Sequence, residues 1–238
     1  MVTMQDQSFQ LFTCRNSKLV RNLGWLLPFS EDLWNRIVTS TTSPDAASTT
    51  HPRRISVVGV HEGDGASTVT YGLAHYLSET LGYRTCVLEA DLRAPASQAS
   101  GLAPSSSIGL KGLLAGECGA DEVIFHVDPL GFHILPSGPT IVSPTALINE
   151  RSLHSTLQVL DTLFDVVVVD SPALNNGPEN RAILHSVDAS ILVLKSGRIA
   201  PAQASYWLGK VHENGGKIGA VCLNGVKFGL PSFLRNLL

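Results

Sequence analysis

The chain has 238 residues, 44% hydrophobic and 16% charged, which fits one mid-sized globular domain with a substantial core and excludes a disordered chain. A net charge of −3 gives no overall basic footprint for nucleic acid. No run of about 18 apolar residues occurs, so no membrane-spanning helix is expected. Residues 1–38 hold short apolar stretches broken by Gly24 and Pro28. Ser30 reads as the cap of a short helix whose first turn carries Glu31 and Asp32, which suits the helix dipole. Residues 39–53, "TSTTSPDAASTTHPR", are small, polar and Pro-containing, and read as a linker.

From Ile55 the pattern changes, and residues 54–227 read as one α/β domain. "ISVVGV" reads as a strand, "STVTYGLAHYLSETLG" as a helix ending at Gly82, and "TCVLEAD" as a second strand. "FHILPSG" is a further strand, "RSLHSTLQVLDTLF" a helix and "DVVVVDSP" the clearest strand of all. "ASILVLKSG" and "IGAVCLNGV" close the series as strands, with a helix through "AQASYWLGKVHENGG" between them. Apolar runs without alternation mean strands buried on both faces. Strand and helix in alternation predict a mostly parallel, doubly wound sheet flanked by helices. Ligands of such sheets bind beyond the carboxyl ends of the strands. That rule brings "VHEGDGAST", "EADLR" and "DSPAL" to one edge.

The first of these reads as a phosphate-binding loop that has lost its lysine. Gly63 and Gly65 allow close backbone approach, and Ser67 and Thr68 supply the hydroxyls that follow. Ala66 stands where the lysine would reach the β- and γ-phosphates. A charge-assisted hydrogen bond contributes about 1.5–3 kcal/mol. Its loss should weaken phosphate binding by roughly ten- to a hundredfold. Glu62 and Asp64 add negative charge to the loop that a basic residue or Mg²⁺ must offset. Neither Lys111 nor Lys195 is aimed at the loop by anything in the sequence; if another residue compensates, Arg93, beside the crevice, is the better candidate. His61 reads as a solvated loop residue.

"HEGDGAST", "EADLRAP", "FDVVVVDSPAL" and "VCLNGV", in this order, resemble the bacterial tyrosine kinases of polysaccharide export. These belong to the deviant Walker-A group of P-loop proteins that includes the MinD and ParA ATPases. The resemblance spans about residues 54–227 and implies a P-loop NTPase-like fold. It further implies that Gly63, Asp64, Gly65, Ala66, Ser67 and Thr68 surround the phosphates of ATP or ADP. Glu89 takes the position of a catalytic base or metal-positioning acid, usually Asp. Asp91, with Arg93 beside it, takes the second acidic position, and Asp170 that of the Walker-B aspartate. Ser67, Asp91 and Asp170 are the implied Mg²⁺ set, and Asn224 the implied adenine contact. Read without the family, Asp170 also fits a polar strand end, Asp91 with Arg93 an ion pair, and Asn224 a turn residue.

The sequence departs from the family at three places. The lysine is missing, and the tail "KFGLPSFLRNLL" lacks the family's tyrosine cluster. "SEDLWNRIV" keeps Glu31 but has Trp34 and Ile37 where arginines of a ring-forming motif are expected. The expectation is a degenerate, tyrosine-kinase-like subunit with a regulatory or scaffold role in exopolysaccharide biosynthesis and export. Its implied partners are a membrane chain-length protein of the polysaccharide co-polymerase kind and a second copy of the chain. Two alternatives stay open: a working Mg²⁺–ATP-dependent ATPase or tyrosine autokinase, and a MinD- or ParA-like positioning protein. Glu62 stands where the latter's signature lysine would be. Cys14, Cys86, Cys118 and Cys222 show no metal spacing and read as thiols of a reducing compartment. The expected location is cytoplasmic, peripheral to the inner face of the cell membrane. The tail 228–238 and "KLVRNLGWLLPF" are read as packing on the domain or docking on a surface or partner.

Overall fold

The computed structural model describes residues 10–13, 22–23, 26–41, 51–140 and 147–226. The tail 228–238, Cys14 and most of the linker 39–53 lie outside the described residues. The elements are β1 (Gln10–Thr13), α1 (Leu27–Thr41), β2 (Arg54–Gly59), α2 (Ala66–Glu79), β3 (Thr85–Glu89), α3 (Ala96–Ser100), α4 (Gly109–Ala115) and α5 (Ala120–Val123). They continue with β4 (Phe125–Asp128), β5 (His133–Leu135), α6 (Glu150–Leu163), β6 (Val166–Asp170), α7 (Asn180–His185), β7 (Ala189–Lys195), α8 (Pro201–Glu213) and β8 (Ile218–Asn224).

The strands form one eight-stranded sheet in the order β1-β4-β5-β3-β6-β2-β7-β8. Every neighbouring pair is parallel except β4 with β5. Alternate residues of the buried strands feed opposite cores, as a period of two requires. Ile55, Val57, Val166 and Val168 pack under α1 and α2 with Trp34, Ile37, Leu73 and Leu77. Val167 and Val169 face the other side, against Leu153, Leu157 and Leu160 of α6. Val58, Leu192 and Leu194 meet Val211 and Trp207 of α8. The spacing of the buried residues on α6, Leu153, Leu157 and Leu160, is the i, i+4, i+7 stripe of an amphipathic helix.

Helix α1 starts four residues earlier than the sequence suggested, at Leu27 where Glu31 was expected. Pro28 sits in its first turn, where a missing N–H costs nothing. Ser30 is therefore not a cap: it is buried in the helix interior, where α1 crosses α2 at Gly72. Trp34 and Ile37, at the expected arginine positions, are core residues, 5% and 0% exposed.

The chain leaves β2 for β3 past β6, and leaves β6 for β7 past β2. The two crossovers run in opposite directions and open a crevice at the carboxyl ends of β3, β6 and β2. The register sets Glu89 beside Asp170 and Asp170 beside Val57. The three motifs thus end at one level.

Candidate functional site

The loop between β2 and α2 turns on two glycines in the left-handed region, Gly63 at φ +77° and Gly65 at φ +98°. L side chains are strained in that region. A Cβ on Gly65 would also lie 2.1 Å from Asn224 Nδ2. Gly65 is the N-cap of α2 and has no side chain to offer. The first backbone N–H of α2 to find an acceptor is that of Val69, on Gly65 O at 3.1 Å. The N–H groups of Ala66, Ser67 and Thr68 are the unsatisfied donors that any helix start carries. A crevice of about 350 Å³ lies over them, lined by the loop together with Asp91, Ala96, Ser100 and Ser171. Backbone donors at a helix start beneath a small crevice suit an anion. A larger hollow, about 720 Å³, flanks the loop between His61, Asn175, Arg198 and Trp207. Two of its polar side chains are turned to the loop: Asn176 bonds Glu62 and Arg198 bonds Asp64.

The charge inside the loop is offset from an unexpected direction. Asp64 is buried, and its carboxylate accepts from His61 N at 2.9 Å and from Arg198 Nη1 at 2.8 Å. Its side chain is spent bracing the loop. Lys195 Nζ donates to Gly63 O at 3.2 Å. Lys195 and Arg198, at and just after the end of β7, are therefore the cations that reach the loop. Arg93 is not: its guanidinium is paired with the buried carboxylate of Glu179, with Nη2 to Oε2 at 3.2 Å. Asn224 Nδ2 donates to Asp64 O at 2.8 Å, so the amide holds the loop. His61 is half-buried, edge-on to Trp207 with ring centres 6.2 Å apart.

The three acidic residues are in unlike states. Glu89 is fully buried. One oxygen accepts from Ser97 N at 2.6 Å, and the other from Ser97 Oγ at 2.6 Å, Ser137 N at 2.9 Å and Ser137 Oγ at 2.9 Å. Four donors occupy its oxygens, and it does not line the crevice. Asp91 lines the crevice and caps its own turn, accepting from Arg93 N at 3.0 Å and Ala94 N at 3.1 Å. Asp170 is buried behind α2, with Thr70 Oγ1 at 3.4 Å. Burial pushes its carboxyl up to about 8; a hydrogen bond from Ser67 opposes this, and the nearby Glu89 and Asp91 charges add to it. Of the residues expected at the site, the crevice gathers Gly63, Asp64, Gly65, Ala66, Ser67, Thr68 and Asp91, while Glu89, Arg93, Asp170 and Asn224 stand behind its walls. Among the described residues no cluster of three or more His, Cys, Asp or Glu is poised to hold a metal, and no helix is long and apolar enough to cross a membrane.

Of the two cations that reach the loop, sequence reasoning set Lys195 aside and missed Arg198. Their signal, a basic pair just past a strand, becomes meaningful only once β7 is known to neighbour β2.

No protein-family profile matches the chain. The tyrosine-protein kinase CpsD of Streptococcus agalactiae serotype III (strain NEM316) is 25% identical over 179 residues, covering 75% of this chain and 77% of the relative. The tyrosine-protein kinase etk of Escherichia coli K12 is 25% identical over 172 residues, covering 72% of this chain and 23% of that longer protein. Among solved structures, the kinase domain of the Escherichia coli tyrosine kinase ETK superposes with a TM-score of 0.69 at 24% identity, covering 76% of this chain and 70% of that one. The chimerical protein CapA2B2 gives a TM-score of 0.75 at 21% identity, covering 92% and 95%. The septum site-determining protein MinD of Pyrococcus horikoshii OT3, complexed with Mg-ADP, gives 0.57 at 25% identity, covering 71% and 67%. The homologues of this chain are bacterial tyrosine kinases of the CpsD and Etk kind, and its fold is the P-loop fold that their kinase domains share with MinD- and ParA-like proteins.

Proposed function

We propose that the chain is a degenerate, tyrosine-kinase-like P-loop protein that acts as a regulatory or scaffold subunit in exopolysaccharide biosynthesis and export. The observation that carries this reading is the condition of its two catalytic positions. Ala66 offers no cation, and Glu89 is buried under four hydrogen bonds from Ser97 and Ser137. Phosphoryl transfer depends almost wholly on positioning and charge stabilisation, and the chain lacks the lysine charge at position 66 and a free acid at position 89.

Binding is a separate matter, and the crevice fits it. The left-handed glycines and the uncapped start of α2 suit the phosphates of ADP or ATP. Ser67, Asp91 and Asp170 would hold or surround Mg²⁺, which keeps several waters and uses one or two carboxylates beside substrate phosphates. Bound Mg²⁺ would supply charge to the phosphates and bring Asp170 into its ionised form. The partner in this reading is a membrane chain-length protein of the polysaccharide co-polymerase kind, which would bring the chain to the inner face of the membrane. The use of Trp34 and Ile37 in the core supports assembly through that partner over a ring built by an arginine motif on α1.

Calorimetry with Mg²⁺–ADP and Mg²⁺–ATP on the chain and on Ala66→Lys tests the reading. The expected result is binding that the variant strengthens by roughly ten- to a hundredfold, with no turnover by the natural chain. Steady ATP hydrolysis or tyrosine phosphorylation that Asp170→Ala abolishes would overturn it in favour of an active enzyme.

A further inference from the structure

Three successive carbonyls of the phosphate loop each accept a hydrogen bond from a side chain of the β7–β8 edge. Arg198 Nη1 donates to Glu62 O at 2.9 Å, Lys195 Nζ to Gly63 O at 3.2 Å, and Asn224 Nδ2 to Asp64 O at 2.8 Å. The three donors come from one place. Lys195 and Asn224 are register partners at the ends of β7 and β8. The turn after β7 closes through Ser196 N on Asn224 O at 2.8 Å and Arg198 N on Lys195 O at 3.1 Å, which carries Arg198 back to the loop. Arg198 also meets the buried Asp64, fixing the loop from inside as well.

We propose that Arg198, Lys195 and Asn224 are positioning residues that hold the phosphate loop in its anion-accepting form in place of the lysine missing at position 66. The reason lies in the peptide group. A trans peptide is planar, so its N–H points opposite to its C=O. Drawing the carbonyls of Glu62, Gly63 and Asp64 toward β7 and β8 turns the following N–H groups away from that edge. The N–H of Asp64 is used within the loop, on His61 O at 3.2 Å. Those of Gly63 and Gly65 join the start of α2 in a concave set of donors, an arrangement that binds anions through backbone alone. In a loop with its lysine, an anion and the lysine would help to set this shape. Here the shape is set from outside before any anion arrives, and two cations sit behind it. The proposal rests on the reading that the crevice takes nucleotide phosphates, and it explains how such a loop stays formed with alanine at its centre.

The test uses Lys195→Met, Asn224→Ala and the pair Asp64→Asn with Arg198→Met, which loses the hydrogen bonds without leaving a buried charge unpaired. Amide hydrogen exchange of residues 61–68 is followed in the absence of nucleotide, with β6 as the internal control for folding. The expected result is exchange faster by about tenfold in the loop and unchanged in β6. Unchanged loop exchange in all three variants would overturn the proposal. Mg²⁺–ADP affinity is then measured with and without Ala66→Lys. Each clamp substitution should weaken binding by about tenfold in the natural background and clearly less once the lysine is restored. Equal losses in both backgrounds would also overturn it. If the natural chain binds no Mg²⁺–ADP, the nucleotide reading falls and the exchange result alone decides the clamp.

Discussion

At the amino edge of the sheet, carboxylates tie neighbouring strands together in view of solvent. Asp165 accepts from Arg84 N at 2.9 Å and Arg84 Nη2 at 2.7 Å, joining the starts of β3 and β6. Asp188 accepts from the backbone N–H of both Arg53 and Arg54 at 2.9 Å, joining β2 and β7. The hydrogen bond from Arg84 holds the Asp165 carboxyl below the usual carboxylate range. At the carboxyl edge of the same strands, Glu89 and Asp170 are register neighbours, both buried, with no cation against either among their described contacts. One is saturated by hydroxyl and backbone donors, and the other is driven toward its neutral form. The difference is one of solvation. The amino edge pairs its carboxylates with arginines and backbone N–H groups in view of water, while the carboxyl edge holds two carboxyls out of water with no cation among those contacts.

The sharpest way to break the comparison is Glu89→Ala. It would strand the buried N–H groups of Ser97 and Ser137 and both hydroxyls. Each unsatisfied buried donor costs about 1–3 kcal/mol, so a loss of about 3–5 kcal/mol is expected in urea unfolding. A loss below about 1 kcal/mol would mean that Glu89 is free, as a working base would be.

Asp170→Asn should act in the opposite sense. The folded carboxyl titrates near 8 and the unfolded one near 3.8. Between those values folding takes up a proton, so the contribution of this group to stability falls as pH rises through that window. The asparagine variant should therefore be more stable than the natural chain above pH 8, on the order of 2 kcal/mol, with the difference vanishing toward pH 4. For the same reason Mg²⁺–ADP affinity of the natural chain should rise between about pH 6.5 and 8.5 as Asp170 ionises. Flat unfolding and binding profiles over this range would remove the strained carboxyl from the account.

Much of this was legible in the sequence. The long apolar runs gave β2, β3, β6 and β7, since strands buried on both faces have little else they can be. β8 was legible as a strand but not as one buried on both faces: it is the edge strand, with Val221 and Leu223 exposed. The order of motifs gave the crevice and most of its lining. Strands β1 and β4 were not legible, because "QLFT" and "FHVD" are four residues each and carry no sustained pattern. Helices α3, α4, α5 and α7 are too short for a helical period to emerge. The clamp was hidden for another reason. Lys195 and Gly63 are 132 residues apart, and only the placing of β7 beside β2 joins them. Arg93 looked closer in sequence, but its partner Glu179 lies 86 residues away. The hydrogen bonding of Glu89 came through two serines, residues too common to read in advance.

His133 sets the two edges against each other in pH. Burial and the neighbouring His126 push its ring down to about 4, while a hydrogen bond to the backbone of Thr85 pulls upward. Unfolded histidine titrates near 6.5, so the unfolded chain takes up the proton first, and stability falls as pH drops from about 6.5 toward 4. Asp170 has the opposite slope over its own window. His133→Gln should flatten the acid limb by about 1–2 kcal/mol between pH 7 and pH 5. An acid limb that keeps its slope in the variant would assign the loss to other groups.

The smallest effect belongs to the amino edge itself. Arg84→Met removes the side-chain pair with Asp165 but leaves the bond from Arg84 N in place. The two side chains are 60% and 35% exposed, so water and salt screen most of the attraction. The expected loss is about 0.5 kcal/mol, shrinking further in high salt. Relief from its hydrogen-bonded partner should also let the Asp165 carboxyl rise toward its ordinary range, which NMR titration of the side chain would follow. A loss above about 2 kcal/mol would mean that this edge behaves as a buried one. The contrast between a solvated strap and a desolvated site would then fail at the end where it should be easiest to see.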